Sequence, residues 1–251
     1  MVKIIMHGCN GHMSQVISGL VEKDPDAEIV AGIDVCDTVK NSYPVFQNIA
    51  DCDVEADVVI DFSSPVCTDA LLDWCADKQV PVVECTTGLS EEQLARIKET
   101  SAKVAVLKSA NMSMGINLLE KLLKEAAGLL AEAGYDIEIV EKHHKLKKDA
   151  PSGTALALGD AINEGLSEKY EYVFDRSQRS IPRPQKEIGF SAVRGGTIVG
   201  DHDVIFAGED EVITFSHRAY SKAVFGKGAV QAAKFLCGKQ PGLYDMSDVI
   251  G

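Results

Sequence analysis

The sequence has few positive charges for its length. Its 251 residues include 25 Lys and Arg against 38 Asp and Glu, which gives a formal net charge of −13. Proteins that bind nucleic acid or anionic membrane surfaces through a general basic face need the opposite balance, so the composition argues against those classes. An acidic chain can still bind a small anion where local cations or backbone N–H groups outweigh the global field. A small anion is therefore expected to bind where Lys and His residues are concentrated.

Long apolar runs and paired cysteines are also missing. No segment approaches the roughly 18–20 consecutive apolar residues that a transmembrane helix needs, and Met1–Gly8 is too short an apolar stretch for a signal peptide. The seven cysteines are an odd number, and none forms a Cys-x-x-Cys pair. Their apolar or small-residue surroundings favour buried free thiols in a reducing compartment. We therefore expect a cytoplasmic protein without a metal site.

Short apolar runs alternate with segments of helical periodicity over the first 110 residues. The predicted strands are Lys3–Met6, Glu28–Ile33, Asp57–Phe62, Val80–Glu84 and Lys103–Lys108. The predicted helices are Ser14–Lys23, Thr68–Lys78 and Ser90–Thr100, and Ser63-Ser64-Pro65 is interpreted as a breaker that closes the third strand. Apolar strands that alternate with helices are typical of a parallel sheet covered on both faces. The pattern predicts a doubly wound α/β domain.

The order of elements changes after residue 110. Predicted helices are Ile116–Ala133, Gly153–Leu166 and Phe225–Leu236, and predicted strands are Asp136–Glu141, Glu187–Val193, Asp203–Ala207 and Glu211–His217. Between them, the polar and proline-containing segment Glu168–Lys186 is predicted to be a loop. Consecutive strands without intervening helices favour a mixed or antiparallel sheet. The sequence therefore predicts a second, α+β domain.

A glycine turn lies between the first predicted strand and helix. Gly8 and Gly11 occur in a Gly-x-x-Gly-x-x-Ser spacing, and Asp34 ends the second strand 23 residues after Gly11. Glycines at this point let a pyrophosphate approach the helix N-terminus, and an acid at the end of the second strand can bond ribose hydroxyls. An ordinary βα turn with an exposed Asp is the alternative. Because Val35 follows Asp34 and Lys40 is the nearest cation, we expect NADH to be favoured over NADPH.

The only dense cationic segment runs from Glu141 to Thr154. It holds four Lys and two of the six His within seven residues, and Ser152 is predicted to be the N-cap of the helix that follows. Cations beside a helix N-terminus suit a small dianion such as a dicarboxylate. A solvated lysine loop, structural histidines and a stray metal site are the alternatives. Chelation by both His143 and His144 is disfavoured because adjacent residues of a strand point in opposite directions.

Taken together, these motifs resemble those of the dihydrodipicolinate (4-hydroxy-tetrahydrodipicolinate) reductase family. The most specific stretch is EKHHKLKKDAPSGTA at Glu141–Ala155, which is similar to the family's E-x-H-H-x-x-K-x-D-A-P-S-G-T-A signature. Further matching segments are Asp61–Pro65, Thr86–Gly88, Ala110–Gly115, Val193–Gly196 and Gly200–His202. The resemblance covers essentially the whole chain. The Gly8–Met13 turn alone is weak evidence for membership of the family.

The resemblance implies an NAD(P)H-dependent oxidoreductase of lysine and diaminopimelate biosynthesis. Hydride goes to the ring of a dicarboxylate imine, and the enamine carbon that results takes a proton. His143 matches the proton donor, and Lys147 matches a second proton-delivering residue. The matching substrate positions are His144, Gly153 and Thr154. The matching cofactor positions are Gly8, Cys9, Asn10, Gly11, His12, Met13, Asp34, Cys85, Thr86, Thr87, Ser109, Ala110, Asn111 and Met112.

Further implications concern the domains and the oligomer. The resemblance implies a Rossmann-like dinucleotide-binding domain at 1–110, with the C-terminal helix and tail 225–251 packed back on it. Residues 111–224 would form the substrate-binding and oligomerisation domain of a homotetramer. Three residues depart from the family pattern: Ser14 replaces a Gly, Cys85 stands where Gly is frequent, and Val35 stands where some members carry Arg. Cys85 is expected to narrow the nicotinamide pocket.

Two other functions share parts of this pattern. A related dehydrogenase acting on an aldehyde or secondary alcohol would need the first domain but would not need the Glu141–Ala155 block. A nucleotide-sensing or redox-regulatory protein could use the same domain together with Cys67, Cys75 and Cys85. A sensor has no need of a proton donor, so His143 and Lys147 argue against that alternative.

Overall fold

The computed structural model describes residues 1–36 and 39–251, and it divides into two compact units. Unit 1 consists of Met1–Met114 and Ala223–Gly251, and unit 2 consists of Gly115–Lys222. Each unit has its own sheet and its own apolar core. In the part of the chain that the structure describes, no helix has both the length and the apolar character needed to cross a membrane.

The first part of unit 1 alternates strands and helices as the sequence predicts. Its elements are β1 Val2–His7, α1 His12–Val21, β2 Ala27–Ile33, β3 Val45–Phe46, β4 Val58–Asp61, α2 Pro65–Lys78, β5 Val82–Glu84, α3 Glu91–Ser101 and β6 Ala105–Lys108. The Ser63-Ser64-Pro65 segment follows the end of β4, as predicted, and it also starts a helix. Ser64 caps α2 by accepting a hydrogen bond from the Val66 N–H, and Pro65 occupies the first helical position, where no N–H is needed.

Unit 2 contains two helices and five strands, and the chain then returns to unit 1. The elements of unit 2 are α4 Met114–Glu132, β7 Asp136–His143, α5 Gly153–Gly165, β8 Glu171–Val173, β9 Glu187–Arg194, β10 Gly200–Ala207 and β11 Val212–Ala219. The elements that follow are α6 Ala223–Leu236, β12 Gly242–Tyr244 and α7 Met246–Ile250. The prediction of a loop at Glu168–Lys186 is wrong for Glu171–Val173, because these residues form β8, which pairs with β9.

The sheet of unit 1 has seven parallel strands in the order β12-β6-β5-β4-β1-β2-β3. Helices α1 and α6 supply the core on one face, and α2 and α3 supply the core on the other. Strand order reverses between β1 and β4, which makes the carboxyl ends of these strands a topological switch point. The predicted doubly wound, Rossmann-like domain is confirmed.

The sheet of unit 2 is mixed, with the order β11-β10-β7-β9-β8. Strand β10 is antiparallel to both β7 and β11, whereas β9 is parallel to β7 and β8. Along β7, buried and partly buried residues alternate, so α4 and α5 cover one face through residues such as Ile137 and Ile139. This confirms the predicted mixed sheet of the second domain.

Candidate active site

A cavity of about 470 Å³ opens at the switch point of unit 1. Three of the predicted cofactor residues, Gly8, Gly11 and Asp34, line it, together with Phe62, Ser63 and other residues that follow β4 or open α2. Ligands of open α/β sheets bind in the crevice outside the carboxyl ends of the strands at such a point. The sequence pattern and the cavity therefore indicate the same region of unit 1.

The glycine turn and Asp34 contact each other directly. One carboxylate oxygen of Asp34 accepts a hydrogen bond of 2.9 Å from the Asn10 backbone N–H, and the other accepts one of 2.9 Å from the Cys36 N–H. The Asn41 side chain donates to Asn10 Oδ1 at 2.8 Å, which ties the segment after β2 to the turn. A carboxylate has about four acceptor positions, so Asp34 retains capacity for ribose hydroxyls.

Gly8 of the turn cannot be replaced by a residue that has a side chain. Its φ is +74°, and a Cβ built on it would lie 2.6 Å from the carbonyl oxygen of Phe62. Gly11 is the N-cap of α1 and has no side chain to satisfy the first helical N–H groups. A pyrophosphate site needs a helix N-terminus whose backbone a ligand can approach closely. Gly8 and Gly11 allow that approach, so these residues fit a dinucleotide.

The other residues of the turn differ in accessibility. The Cys9 side chain is buried in the apolar core, Met13 is partly buried and His12 is exposed. Ser14, the predicted departure from the family pattern, is fully buried in the first turn of α1, and its hydroxyl has no hydrogen-bond partner. Of these residues, Cys9 can meet a ligand only through its backbone.

The loop after β5 is held by buried polar groups. The Thr86 hydroxyl donates to Asp61 Oδ2 at 2.6 Å, and the Thr86 N–H donates to Glu84 Oε1 at 2.8 Å. Lys108 Nζ donates to the Thr86 carbonyl at 3.0 Å, while Thr87 is exposed. The Cys85 side chain packs in the core with β5 and β6 neighbours, so we find its thiol within the apolar core. The predicted narrowing of a pocket by Cys85 finds no support in this placement.

The loop after β6 contains the remaining predicted cofactor residues. Ser109 and Asn111 are partly buried, and Ala110 is exposed. Asn111 Oδ1 accepts a hydrogen bond of 2.8 Å from the Ser113 N–H. Met112 is buried, and a Cβ at Gly228 of α6 would lie 1.6 Å from the Met112 carbonyl oxygen. Close packing of α6 therefore fixes the end of this loop.

His143 is the last residue of β7 and is buried beside a second ionisable side chain. Its Nδ1 lies 2.7 Å from Glu141 Oε2. Arg194 donates two hydrogen bonds to the Glu141 carboxylate, at 2.7 Å and 2.6 Å. Glu141 also accepts a hydrogen bond of 3.0 Å from the Ser152 N–H. Burial raises the pKa of Glu141, but the hydrogen bonds from Arg194 and His143 outweigh it, so the pKa is lowered. The carboxylate thus fixes one ring nitrogen of His143 and leaves Nε2 for other chemistry.

A glycine and a second histidine surround the free side of the His143 ring. A Cβ at Gly200 would lie 3.1 Å from His143 Nε2, so the lack of a side chain there leaves room beside this nitrogen. The ring of His202 meets that of His143 edge to face at 5.1 Å, and its Nε2 lies 3.1 Å from Ser152 Oγ. Burial, followed by repulsion from His143, lowers the pKa of His202 to about 4. His202 is therefore a neutral neighbour of His143 at physiological pH.

The predicted substrate residues lie on the segment that leads into α5. His144 is partly buried directly after β7, and Lys147 Nζ pairs with Asp149 Oδ2 at 2.8 Å. Ser152 is confirmed as the N-cap, since its hydroxyl accepts a hydrogen bond of 3.1 Å from the Ala155 N–H. Gly153 and Thr154 form the first turn, where a helix supplies no acceptor for the backbone N–H groups. A Cβ at Gly153 would meet only open space.

Several residues that build these sites were not among the predicted site residues. Glu141, Arg194 and His202 surround His143, and His7 and Glu84 flank Asp61. Glu141 and Arg194 lie 53 positions apart, so only the pairing of β7 with β9 brings them together. A usable signal existed for Glu141 and Glu84, because a charged residue within a predicted buried strand needs a partner.

The cysteines follow the prediction in part. All seven are free. Four of them, Cys9, Cys52, Cys75 and Cys85, are buried and Cys67 is partly buried, but Cys36 and Cys237 are exposed, so the expectation of burial is wrong for those two. Among residues 1–36 and 39–251, no group of three or more His, Cys, Asp or Glu side chains is placed to hold a metal ion.

The fold and the sites by themselves define a class of protein. Unit 1 is a Rossmann-like nucleotide-binding unit, and unit 2 is an α+β unit that carries a buried His–carboxylate pair. This combination is typical of a two-domain nicotinamide-dependent oxidoreductase. Two family models match the chain: "Dihydrodipicolinate reductase, N-terminus" over residues 2–112 and "Dihydrodipicolinate reductase, C-terminus" over residues 115–250. The chain belongs to the dihydrodipicolinate reductase family and is an NAD(P)H-dependent oxidoreductase of lysine and diaminopimelate biosynthesis.

Individual relatives agree with this membership. The 4-hydroxy-tetrahydrodipicolinate reductase of Caldanaerobacter subterraneus subsp. tengcongensis is 54% identical, over 100% of this chain and 98% of the relative. That of Clostridium novyi is 50% identical over the same shares of the two chains. A solved structure, a dipicolinate-bound dihydrodipicolinate reductase from Paenisporosarcina sp. TG-14, superposes with a TM-score of 0.83 at 24% identity and covers 99% of each chain, which supports the fold. The comparisons favour the reductase over the other two functions considered from the sequence.

Proposed function

We propose that the chain reduces 4-hydroxy-tetrahydrodipicolinate, by way of dihydrodipicolinate, to tetrahydrodipicolinate, with His143 as proton donor and Lys147 assisting. The observation that carries this proposal is the buried His143–Glu141 contact of 2.7 Å beside the N-terminus of α5. A buried imidazole oriented by a carboxylate is suited to general acid chemistry near neutral pH. The adjacent cationic segment supplies the charge that a dicarboxylate needs in an otherwise acidic protein.

Unit 1 would hold the nucleotide. The Gly8–Met13 turn would take the pyrophosphate, Asp34 the ribose hydroxyls, and the loops Cys85–Thr87 and Ser109–Met112 the nicotinamide side. When bound, the nucleotide supplies a hydride. Because Asp34 repels a 2′-phosphate and Val35 offers no cation to hold one, we expect NADH to be favoured over NADPH.

Unit 2 would hold the substrate. The N–H groups of Gly153 and Thr154 lie at a helix N-terminus and would receive one carboxylate, and His144 would contribute a further polar contact. His143 would deliver its proton from Nε2, since Nδ1 faces Glu141. Lys147 would stabilise the electron-rich intermediate with its charge and supply a second route for the proton. The Lys147–Asp149 ion pair at 2.8 Å would have to loosen for that contact.

A coupled assay tests the reaction and the cofactor preference together. Pyruvate, aspartate semialdehyde and the synthase that condenses them would generate the substrate in place, and nucleotide oxidation would be followed by absorbance. We expect oxidation that requires every component, with a higher kcat/KM for NADH than for NADPH. An NADPH value well above the NADH value would contradict the role given to Asp34 and Val35. No oxidation by folded, cofactor-bound protein would contradict the reaction itself.

We further propose that the chain assembles as a homotetramer through unit 2. One face of its sheet is covered by α4 and α5, whereas residues on the opposite face, including Val193, Thr214 and Arg218, are exposed in the single chain. Sedimentation velocity at several concentrations should give about four times the chain mass. A species of one chain mass at micromolar concentration would contradict the proposal.

We also propose a cytoplasmic location. The support is chemical: all seven cysteines are free thiols, four of them buried, which suits a reducing compartment. The biosynthetic family to which the chain belongs agrees with that location. Fractionation of producing cells, with the protein followed by antibody, should place it in the cytoplasmic fraction, and recovery outside that fraction would contradict the proposal.

A further inference from the structure

Four ionisable side chains form one row across the sheet of unit 1. Strand pairing places His7 of β1 beside Asp61 of β4, Asp61 beside Glu84 of β5, and Glu84 beside Lys108 of β6. Paired residues of parallel strands point to the same face of the sheet, so the four side chains share one face at its carboxyl edge. His7, Asp61 and Glu84 are buried, and both carboxyl residues are fully so.

Both carboxyl groups of this row hold the same threonine. Asp61 Oδ2 accepts from the Thr86 hydroxyl at 2.6 Å, and Glu84 Oε1 accepts from the Thr86 N–H at 2.8 Å. Ser63, which lines the cavity of unit 1, donates its N–H to Thr86 Oγ1 at 3.1 Å. The position of Thr86 therefore depends on the relative position of the two carboxyl groups.

The two carboxyl groups have unequal surroundings. Asp61 Oδ1 faces His7 Nδ1 at 2.6 Å and accepts from the Ser63 N–H at 3.2 Å, in addition to the Thr86 contact. Glu84 has the single N–H contact, and its Oε2 is buried without a donor. A buried carboxylate oxygen that accepts nothing is costly, and a second carboxylate as its neighbour adds repulsion. A proton on Glu84 Oε2 removes both costs, because the acid can then donate to Asp61.

We propose that Glu84 is a positioning residue for the Cys85–Thr87 loop and that it works as the neutral acid, keeping its proton and donating a hydrogen bond to Asp61. This inference rests on the proposed function in one respect, namely that the loop contacts the nucleotide. Ionisation of Glu84 would place two carboxylates side by side in the core. Their repulsion would separate the two groups that hold Thr86 and would displace the loop.

The balance of the groups around Glu84 favours its neutral form. Burial, followed by repulsion from Asp61, raises the pKa of Glu84 to about 9 and outweighs the Thr86 N–H contact and the charge of Lys108, which lower it. Burial also raises the pKa of Asp61, but the contact with His7 outweighs it and leaves that pKa lowered. The charged and titratable neighbours are His7 and Asp61 on β1 and β4, Lys108 on β6, the adjacent Cys85, and Cys75 on α2. Burial raises the pKa values of both thiols well above their usual range, so neither introduces a charge near pH 9.

The consequence is a nucleotide affinity that falls in alkaline solution. Below pH 9 the acid form prevails and the loop is in place. Above it, the Kd for NADH should rise and reach about ten times its neutral-pH value at pH 10, since only the protonated protein binds well. Glu84→Gln should remove this dependence, because the amide can donate to Asp61 and accept from the Thr86 N–H in the same places.

The test measures NADH binding to the full chain by titration calorimetry from pH 7 to 10, with circular dichroism at each pH to verify folding. Wild-type protein and the control Glu99→Gln, at an exposed position of α3, should lose about tenfold in affinity between pH 7 and 10. Glu84→Gln should change by less than threefold over the same range. An equal alkaline loss in Glu84→Gln, or no loss in wild type, would overturn the proposal.

Infrared spectroscopy separates this inference from the proposed function. A neutral buried carboxylic acid gives a carbonyl band distinct from that of carboxylates. The band should be present at pH 7 in wild type and Glu99→Gln, disappear near pH 9, and be missing in Glu84→Gln. A wild type without the band at pH 7 overturns the role of Glu84 even if Glu84→Gln does not fold. Failure to bind NADH at pH 7, with the band present, counts against the proposed function instead.

Discussion

His143→Gln should lower kcat by about 10²–10⁴-fold, the range that a positioned general acid contributes. Glutamine is close in size and can still hydrogen-bond Glu141, but it cannot deliver a proton at neutral pH. The Kd for NADH should stay within about twofold, because Gly8–Met13 and Asp34 belong to the other unit. Steady-state turnover in the coupled assay, together with calorimetric titration of NADH, gives both quantities.

The matched control for this prediction is His217→Gln, a partly buried position on β11 that we assign to neither site. Its kcat should stay near the wild-type value. In the same assay Lys147→Ala should lose turnover and raise KM, whereas Lys148→Ala, an exposed neighbour, should have little effect. A His143→Gln protein with near wild-type kcat would remove His143 from the acid role.

Arg194→Ala should destabilise the protein by about 3–5 kcal/mol, the cost of removing one partner from a buried ion pair. Glu141 is buried, and Arg194 supplies two of its contacts while its own side chain is only 19% exposed. Without the guanidinium, the carboxylate keeps only His143 and the Ser152 N–H as donors. Urea unfolding at a fixed protein concentration measures the change, and the fixed concentration matters if the chain associates.

Lys124→Ala is the control for the stability prediction. Lys124 also pairs with a carboxylate, that of Glu164, at 2.8 Å, but the two side chains are 55% and 62% exposed. An exposed ion pair of this kind contributes about 0–1 kcal/mol, because water and salt screen the charges. Equal losses in the two variants would show that burial of Glu141 is not the source of the stability, and the account of the His143 surroundings would then fail.

Elements with a strong local signal could be predicted from the sequence. Helix α4 and strands β1 and β4 carry long or uniformly apolar patterns, so their existence follows from periodicity. The short strands β3, β8 and β12 have two or three residues each and lie outside any longer apolar run, whereas β5, which is equally short, lies within the apolar run Val80–Glu84. The end of β7 was also missed: the strand continues to His143, because pairing with β9 and β10 extends it into the cationic segment.

The sequence by itself determined the alternation of elements, the glycine turn followed by Asp34, and the cationic segment before the N-cap Ser152. These are local, since each depends on residues a few positions apart or on hydrogen bonds within one turn. Only the tertiary structure decided which groups face these segments. Glu141 meets Arg194, and Asp61 meets Glu84, through strand pairings that join residues far apart in the chain. Burial then sets the protonation of such pairs, because the cost of a charge in the core depends on all of its neighbours.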